Sequence, residues 1–231
     1  MARRFPESMI LSAQQTDSFT CRIKICGITR QEDARAAVAL GVHALGLVFV
    51  EASARRVDPD RAEAILAGLP PFVTSVALFQ DPAPAEVEAV LARLPFDLLQ
   101  FHGSEPAAFC EGFGRPYIKA VPMGGEVDLA AYAAEHPQAR GFLLDSHAPG
   151  GSGGSGHRFD WRRVPRDFAR PLVLAGGLSP ANVAQAVRQL RPYAVDVSSG
   201  VEAAKGIKDP DKMAAFVRAV KQGSENHADY P

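Results

Sequence analysis

The sequence predicts an α/β protein folded as a single closed (β/α)8 barrel, and three observations lead to that prediction. Eight short apolar runs recur along the chain at a mean spacing of about 25 residues, and segments with helical periodicity separate them. Several runs, among them ALGLVFV at 44–50 and FLLD at 142–145, are continuously apolar, which is typical of parallel strands covered by helices. Twenty glycines and 18 prolines supply the many changes of direction that this alternation requires.

The apolar runs place eight strands along the chain. The predicted strands begin near Arg22, Ala44, Phe72, Asp97, Pro116, Gly141, Pro171 and Ala194. The turn after the first strand reads CGITRQ and lacks the G-x-G-x-x-G fingerprint of dinucleotide-binding folds. This absence favours the closed barrel over its alternative, an open doubly wound sheet.

Two of the intervening helices carry explicit start signals. Thr29 and Glu32 form a predicted capping box at the start of the first helix, and Gly41 is expected to close it. Ser179 followed by Pro180 predicts an N-cap and first turn for the helix before the eighth strand.

Helical periodicity alone predicts the remaining helices. They are expected at 62–69, at 87–94, after Ser104, at 129–135 and at 213–220. The sixth unit differs, because a glycine-rich stretch follows its strand, and only a brief helix is expected near Asp160 and Trp161.

Domain organisation follows from the extent of this alternation. We expect one catalytic barrel domain over residues 21–222, with no linker that would divide it in two. Residues 1–20 are expected to form a disordered or flexible extension, and residues 223–231 a frayed tail.

Composition and charge exclude several classes of protein. The 25 basic and 26 acidic side chains give a net charge of −1, and 47% of the residues are hydrophobic. This balance argues against a disordered chain, a nucleic-acid binder and a polybasic membrane-surface protein. The apolar runs fall far short of the roughly 20 residues that a bilayer requires. Three cysteines cannot form a disulfide framework, so we expect a reducing, cytoplasmic location.

Active residues of such barrels lie at the carboxyl ends of strands, where this chain has a cysteine and an aspartate. Cys26 ends the first strand, and it is either a small buried hydrophobe or a reactive thiol. Lys24 shares its face, would favour the thiolate, and needs an acidic partner such as Asp196 on the neighbouring strand. Asp145 ends the sixth strand, either to cap the next loop or to perform chemistry.

Glycine-rich loops after the last three strands indicate an anion site. The loop GGSGGSG at 150–156 reads as a flexible linker or as a segment whose backbone amides reach an anion. Gly176 and Gly177 after the seventh strand, and Ser198 and Ser199 after the eighth, occupy the usual phosphate-binding position of barrels. No P-loop lysine is present, which argues against a nucleoside triphosphate.

Histidines and arginines give weaker signals. The six histidines are scattered without a metal-ligand spacing, so no metal site is predicted. His102 alone among them lies at a strand end, where it could orient a loop, bind a ligand or transfer protons. Arg55 follows the second strand, as part of a solvated face or as a bidentate clamp on a carboxylate.

Motifs spread from about residue 22 to residue 221 resemble those of the phosphoribosylanthranilate isomerase family. These motifs are KICGIT (24–29), ALGLVF with SARRV (44–57), LLQFHGSE (98–105), FLLDS (142–146), GGSG-x-x-FDW (153–161), LAGGLSPANV (174–183) and AVDVSSGVE with KGIKD (194–209). The resemblance implies a (β/α)8 fold. It also implies an Amadori rearrangement of N-(5-phosphoribosyl)anthranilate to 1-(2-carboxyphenylamino)-1-deoxyribulose 5-phosphate in tryptophan biosynthesis.

The resemblance also assigns roles to individual residues. It implies that Cys26 is the base and Asp145 the acid, that Arg55 holds the anthranilate carboxylate, and that His102 and Asp196 assist substrate binding. The implied phosphate-binding residues are Gly154, Ser155, Gly176, Gly177, Ser198 and Ser199. The reaction moves protons only, so no cofactor and no metal are implied.

Other functions stay open at this stage. The alternatives are another phosphosugar barrel, of the indoleglycerol-phosphate synthase or ribulose-phosphate epimerase type, and a non-catalytic phosphate-binding barrel. The expected partner is a small phosphosugar substrate, with no nucleic acid and no membrane, and the chain is compatible with a monomer or a homodimer. The GGSG repeat is doubled, and the second copy keeps the family's spacing to FDW.

Overall fold

Eight parallel strands close into one barrel, in which each strand pairs with the next along the chain and the eighth returns to the first. The computed structural model describes residues 19–147, 159–165 and 167–225. The strands are β1 Arg22–Cys26, β2 Ala44–Val48, β3 Thr74–Phe79, β4 Leu98–Phe101, β5 Tyr117–Pro122, β6 Phe142–Asp145, β7 Leu172–Leu174 and β8 Ala194–Val197. The predicted (β/α)8 barrel is therefore confirmed, and every strand begins within two residues of its predicted start.

Seven helices surround the strands in the described part of the chain. They are α1 Gln31–Ala39, α2 Pro59–Leu66, α3 Pro84–Arg93, α4 Ala107–Glu111, α5 Leu129–Glu135, α6 Val183–Leu190 and α7 Pro210–Glu225. In the sixth unit a 3-10 turn, Trp161–Arg163, matches the brief helix predicted there. A short hairpin of β9 Glu202–Ala204 and β10 Ile207–Lys208 follows the eighth strand.

Both predicted N-caps are wrong, the first because a tertiary contact engages the Thr29 hydroxyl and the second because Asn182 takes the capping position. The N-cap of α1 is Arg30, which makes no side-chain cap bond, while the Thr29 hydroxyl donates to the carbonyl of Gly206. Helix α6 starts later than expected, with Asn182 at its N-cap, and the Asn182 side chain accepts from the backbone N–H of Ser179. Pro180 thus lies in the turn before the helix.

The chain termini are described only in part. The extension predicted over 1–20 lies outside the described residues except for its last two positions. Helix α7 continues to Glu225, three residues past the predicted end of the barrel domain at 222. Gly223 packs closely against α6, where an added β-carbon would lie 2.8 Å from the carbonyl oxygen of Ala184. Among the described residues, no helix has the length and apolar character needed to cross a membrane.

Two apolar layers hold the site end of the barrel in place. The larger layer fills the space between strands and helices with residues such as Ile25, Leu45 and Phe101. Inside the barrel, Ile118, Leu143 and Val173 belong to a smaller separate cluster. This close packing holds the strands, and with them the side chains at their carboxyl ends, in fixed positions.

Candidate active site

Cys26, at the carboxyl end of β1, lies beside a buried ion pair inside the barrel. Nζ of Lys24 is 2.9 Å from Oδ1 of Asp196, and both side chains are less than one-tenth exposed. The register between β1 and β8 places these two residues directly opposite each other. The predicted pairing of Lys24 with Asp196 is therefore confirmed.

Burial dominates the ionisation of the Cys26 thiol. Its side chain is 5% exposed, and burial raises its pKa above the ordinary value while the nearby Lys24 ammonium lowers it in part. Asp196 raises the pKa of the thiol further. For Lys24, burial lowers the pKa, but Asp196 and Cys26 outweigh that effect and leave the pKa raised. Lys24 therefore favours the thiolate, as the sequence predicted, but desolvation has the larger influence on the pKa of the thiol in the free protein.

Asp145 caps the loop that follows β6 with one carboxylate oxygen, and its other oxygen faces two histidines. Oδ1 accepts a 2.6 Å hydrogen bond from the backbone N–H of Ser146, which fixes the start of the loop. Oδ2 lies 3.0 Å from Nε2 of His102 and 3.4 Å from Nδ1 of His147. One carboxylate oxygen thus supports the chain and the other faces two imidazoles.

The structure brings together three possible metal ligands that the sequence did not group. The ligand atoms of His102, Asp145 and His147 all lie within 4.8 Å of one another, and the three residues are buried. Sequence spacing gave no sign of this group, because His102 follows β4 whereas the other two residues are at the end of β6. Closure of the barrel brings these strand ends to one mouth.

The contacts on both sides of the His102 ring determine its tautomer, and they also influence the ionisation of Asp145. Nε2 of Gln100 lies 2.9 Å from Nδ1 of His102, and because the Asp145 carboxylate can only accept, we assign the imidazole proton to Nε2, which faces Asp145. Burial raises the pKa of Asp145, but its interactions with His102 and His147 outweigh burial and hold the pKa well below its usual range. Asp145 is therefore a carboxylate in the free protein.

Arg55 lies within a network of charges that the sequence did not reveal. Its Nε and Nη2 donate to the two carboxylate oxygens of Glu202, over 2.8 and 2.9 Å. Nζ of Lys208 donates to Glu202 over 2.9 Å and also to the carbonyl oxygen of Ser198. Burial raises the pKa of Glu202, yet Arg55 and Lys208 leave it lowered on balance. The only available sequence signal was the pair of motifs GVE and KGIKD, which flank a hairpin.

The predicted phosphate loops after β7 and β8 lie against each other. Gly176 and Gly177 have positive φ values of 76° and 64°, and both are half-buried, as are Ser198 and Ser199. A β-carbon added to Gly200 would meet the carbonyl oxygen of Leu178, so only glycine permits this contact between the loops. Gly154 and Ser155, predicted in the same role, lie outside the described residues.

Gly27 joins the phosphate loops to Cys26 and Arg55. It follows Cys26 with a φ of 72°, and an added β-carbon would lie 2.5 Å from Cδ of Arg55 and 3.0 Å from the Ser198 hydroxyl. The thiol, the guanidinium and the loop after β8 therefore surround one point of the backbone. Groups at one mouth of the barrel can therefore bind a carboxylate near Arg55 and a phosphate near Ser198.

Comparison with known proteins gives a consistent result. A family model described as N-(5′-phosphoribosyl)anthranilate isomerase matches residues 23–219. The N-(5′-phosphoribosyl)anthranilate isomerase of Pseudomonas fluorescens is 55% identical over 205 residues, which cover 89% of this chain and 98% of that protein.

Solved structures show the same likeness. Phosphoribosyl anthranilate isomerase from Thermotoga maritima is 41% identical with a TM-score of 0.80, covering 87% of this chain and 99% of that one. A phosphoribosyl anthranilate isomerase in complex with reduced 1-(o-carboxyphenylamino)-1-deoxyribulose 5-phosphate is 38% identical with a TM-score of 0.76. That match covers 87% of this chain and 99% of that one.

Proposed function

The chain belongs to the N-(5′-phosphoribosyl)anthranilate isomerase family, and from that premise we propose that Cys26 and Asp145 are the base and the acid of its reaction. The enzyme converts N-(5-phosphoribosyl)anthranilate into 1-(2-carboxyphenylamino)-1-deoxyribulose 5-phosphate, a step of tryptophan biosynthesis. The observation that carries the assignment is the presence of a buried thiol and a buried carboxylate at the strand ends of one barrel mouth.

The rearrangement requires one proton to be added and one to be removed. Protonation of the furanose ring oxygen lets the bond between C1′ and that oxygen break, and the anthranilate nitrogen supplies electrons to form a protonated Schiff base. Removal of the C2′ proton gives an enolamine, which tautomerises to the ketone. We assign the first transfer to Asp145 and the second to Cys26.

Asp145 must gain a proton before it can act as an acid. The substrate carries a phosphate and a carboxylate, and negative charge brought into the mouth raises the pKa of a nearby carboxyl group. The contact between Nε2 of His102 and Oδ2 of Asp145, at 3.0 Å, stabilises the carboxylate that remains once Asp145 has given up its proton. We therefore assign His102 the role of holding the acid in place rather than a direct contact with the sugar.

Cys26 must lose its proton to act as a base. The Lys24 ammonium lowers the pKa of the thiol and donates a hydrogen bond towards it, whereas burial opposes ionisation. Asp196 holds Lys24 in place through the 2.9 Å ion pair. The role of Asp196 in our proposal is thus exerted through Lys24.

Arg55 has one edge of its guanidinium committed and one edge available for substrate. Glu202 accepts from Nε and Nη2 along the side of the group, which leaves the Nη1 and Nη2 end able to bind the anthranilate carboxylate in bidentate fashion. Lys208 balances the charge of Glu202, so the three residues together retain a net positive charge. Glu202 therefore positions Arg55 without neutralising the site.

The loops after β7 and β8 are the proposed phosphate site. These loops follow adjacent strands, and their backbone N–H groups can donate hydrogen bonds to an anion. The half-buried residues of the proposed site are Gly176, Gly177, Ser198 and Ser199. Gly154 and Ser155 remain proposed members of the site on sequence grounds.

The assignment is tested by following the loss of substrate fluorescence as phosphoribosylanthranilate is consumed. Cys26→Ala and Asp145→Asn are each expected to lower kcat by at least a thousandfold. The matched control is Cys21→Ala, which removes an equally buried thiol from the chain just before β1. Near-native kcat in Cys26→Ala, with the control equally active, would remove Cys26 from the mechanism.

We also propose a cytoplasmic enzyme that acts as a monomer or a homodimer. The three cysteines are free and buried, which suits a reducing compartment. All strands of the barrel and the candidate site lie within one chain, so both states are compatible with activity. Light scattering during size-exclusion chromatography distinguishes them.

A further inference from the structure

We propose that His102, Asp145 and His147 form an inhibitory binding site for a transition-metal dication of the zinc type. Binding is inferred from geometry alone. Inhibition rests on the proposed role of Asp145 as the acid, because a metal bound to Oδ2, the oxygen that faces Nε2 of His102, prevents that oxygen from carrying the proton.

The spacing of the three donors suits a metal of this size. Zinc binds histidine nitrogen and carboxylate oxygen at about 2.0–2.2 Å, so tetrahedral ligands lie roughly 3.4 Å apart. Oδ2 of Asp145 lies 3.0 Å from Nε2 of His102 and 3.4 Å from Nδ1 of His147. The two imidazole rings have centroids 4.8 Å apart at an interplanar angle of 32°. Small rotations of these side chains are enough to place all three donors around one ion.

Two buried polar atoms in this group make no hydrogen bond with the described residues. Nδ1 of His147 is one of them, although the residue is only 6% exposed. Oε1 of the fully buried Gln100 is the other. Buried polar atoms without a partner are uncommon, and these two are available to a bound ion and to the histidine that would hold it.

Gln100 gives the site the outer support that metal-bound histidine requires. A ligating imidazole donates its other N–H to an acceptor. In the free protein Nε2 of Gln100 faces Nδ1 of His102 at 2.9 Å. Rotation of the Gln100 amide brings its unpaired Oε1 to that position, where it accepts from Nδ1–H and frees Nε2 of His102 for the metal.

A cavity next to the cluster gives the ion a route and room for water ligands. It has a volume of about 390 Å³, and both His102 and His147 line it together with Gln80, Gly103 and Pro122. Two imidazoles and one carboxylate favour zinc over magnesium, which prefers an all-oxygen octahedron. Magnesium therefore provides a matched negative control.

Calorimetric titration of the complete protein with zinc chloride, without substrate, tests the binding. We expect one zinc per chain at this site and no heat from magnesium. His147→Gln and His102→Gln should each lower the association constant at least tenfold. The matched control is His43→Gln, which removes an exposed histidine that precedes β2 at the opposite end of the barrel and should bind zinc as the parent does.

Two further measurements separate this site from binding by Cys26. Cys26→Ser should retain zinc affinity, and cobalt bound in place of zinc should show no thiolate charge-transfer band. A non-reactive product analogue should compete with zinc, and this measurement does not depend on the folding of any variant. Zinc binding that survives His147→Gln, or that disappears in Cys26→Ser, would overturn the proposal, as would the absence of any binding. Because binding is read without turnover, its failure leaves the assignment of Asp145 as the acid untouched.

Discussion

Gly46 lies opposite Cys26 in the register of β1 and β2, and a β-carbon added to Gly46 would lie 2.8 Å from the Cys26 sulfur. The same β-carbon would lie 3.1 Å from Nζ of Lys24. The space that the thiol and the ammonium share is thus created by the missing side chain on the neighbouring strand.

Gly46→Ala is expected to lower kcat/KM at least tenfold, because the new methyl group displaces the thiol from its position beside Lys24. The matched control is Gly68→Ala, where an added β-carbon meets only ordinary contacts at 3.5 and 3.6 Å. Steady-state assays of both variants check the prediction. Equal activity of the two variants would show that the position of the Cys26 sulfur tolerates such a shift.

Removal of the Lys24 charge is expected to move the activity profile to higher pH. Lys24 lowers the pKa of Cys26, so Lys24→Met raises that pKa and reduces the thiolate fraction at a given pH. Lys24→Met also leaves the Asp196 carboxylate without its partner, and that carboxylate raises the pKa of the thiol. The double variant Lys24→Met with Asp196→Asn removes this carboxylate, so its pH profile should lie between those of the parent and of Lys24→Met.

The pH dependence of Cys26 alkylation by iodoacetamide, measured by peptide mass spectrometry, checks this order without substrate. The parent should react at the lowest pH, the double variant next and Lys24→Met last. Coincident curves would mean that Lys24 does not influence the thiol.

The barrel could be predicted from the sequence because the patterns that mark its strands and helices each lie within a short stretch of chain. Continuous apolar runs mark strands buried on both faces, and helical stripes between them mark the covering layer. The caps could not be predicted in the same way. Threonine is a common N-cap residue, but the Thr29 hydroxyl instead donates a hydrogen bond to the carbonyl oxygen of Gly206, 177 residues along the chain.

The sequence could predict the site residues that lie at the ends of strands. It could not predict which residues from different strands would meet at the barrel mouth. Cys26 and Asp145 are visible because polar residues interrupt apolar runs at their ends. Glu202 and His147 gain significance only from Arg55 and His102, which follow different strands. Such pairings depend on the closure and register of the barrel, which no short pattern encodes.

Glu202→Gln is expected to raise KM for phosphoribosylanthranilate about tenfold, with a smaller change in kcat. The amide keeps the shape of the side chain but cannot accept from both Nε and Nη2 of Arg55, so the guanidinium loses its fixed orientation. A phosphoribulose analogue with an unsubstituted aniline ring serves as the control ligand. Its affinity should be unchanged, whereas an equal loss for both ligands would indicate general damage to the site.

His136 is expected to make the folded state less stable in mild acid. Burial lowers the pKa of His136 to about 4, with a further contribution from the charge of Lys119. Its ring lies 5.5 Å from that of Tyr132, and its Nδ1 has no hydrogen-bond partner among the described residues. The folded state therefore holds this imidazole in its neutral form.

The sign of the pH effect follows from proton binding. Between the unfolded pKa near 6.5 and the folded value of about 4, the unfolded chain binds more protons, so the free energy of unfolding decreases as pH falls through this window. His136→Phe keeps the aromatic contact and removes the titration. Between about pH 7 and about pH 4.5, the parent should lose about 2 kcal/mol of stability relative to this variant. Urea unfolding curves at several pH values measure the difference, and parallel pH profiles for the two proteins would show that His136 titrates normally in the folded state.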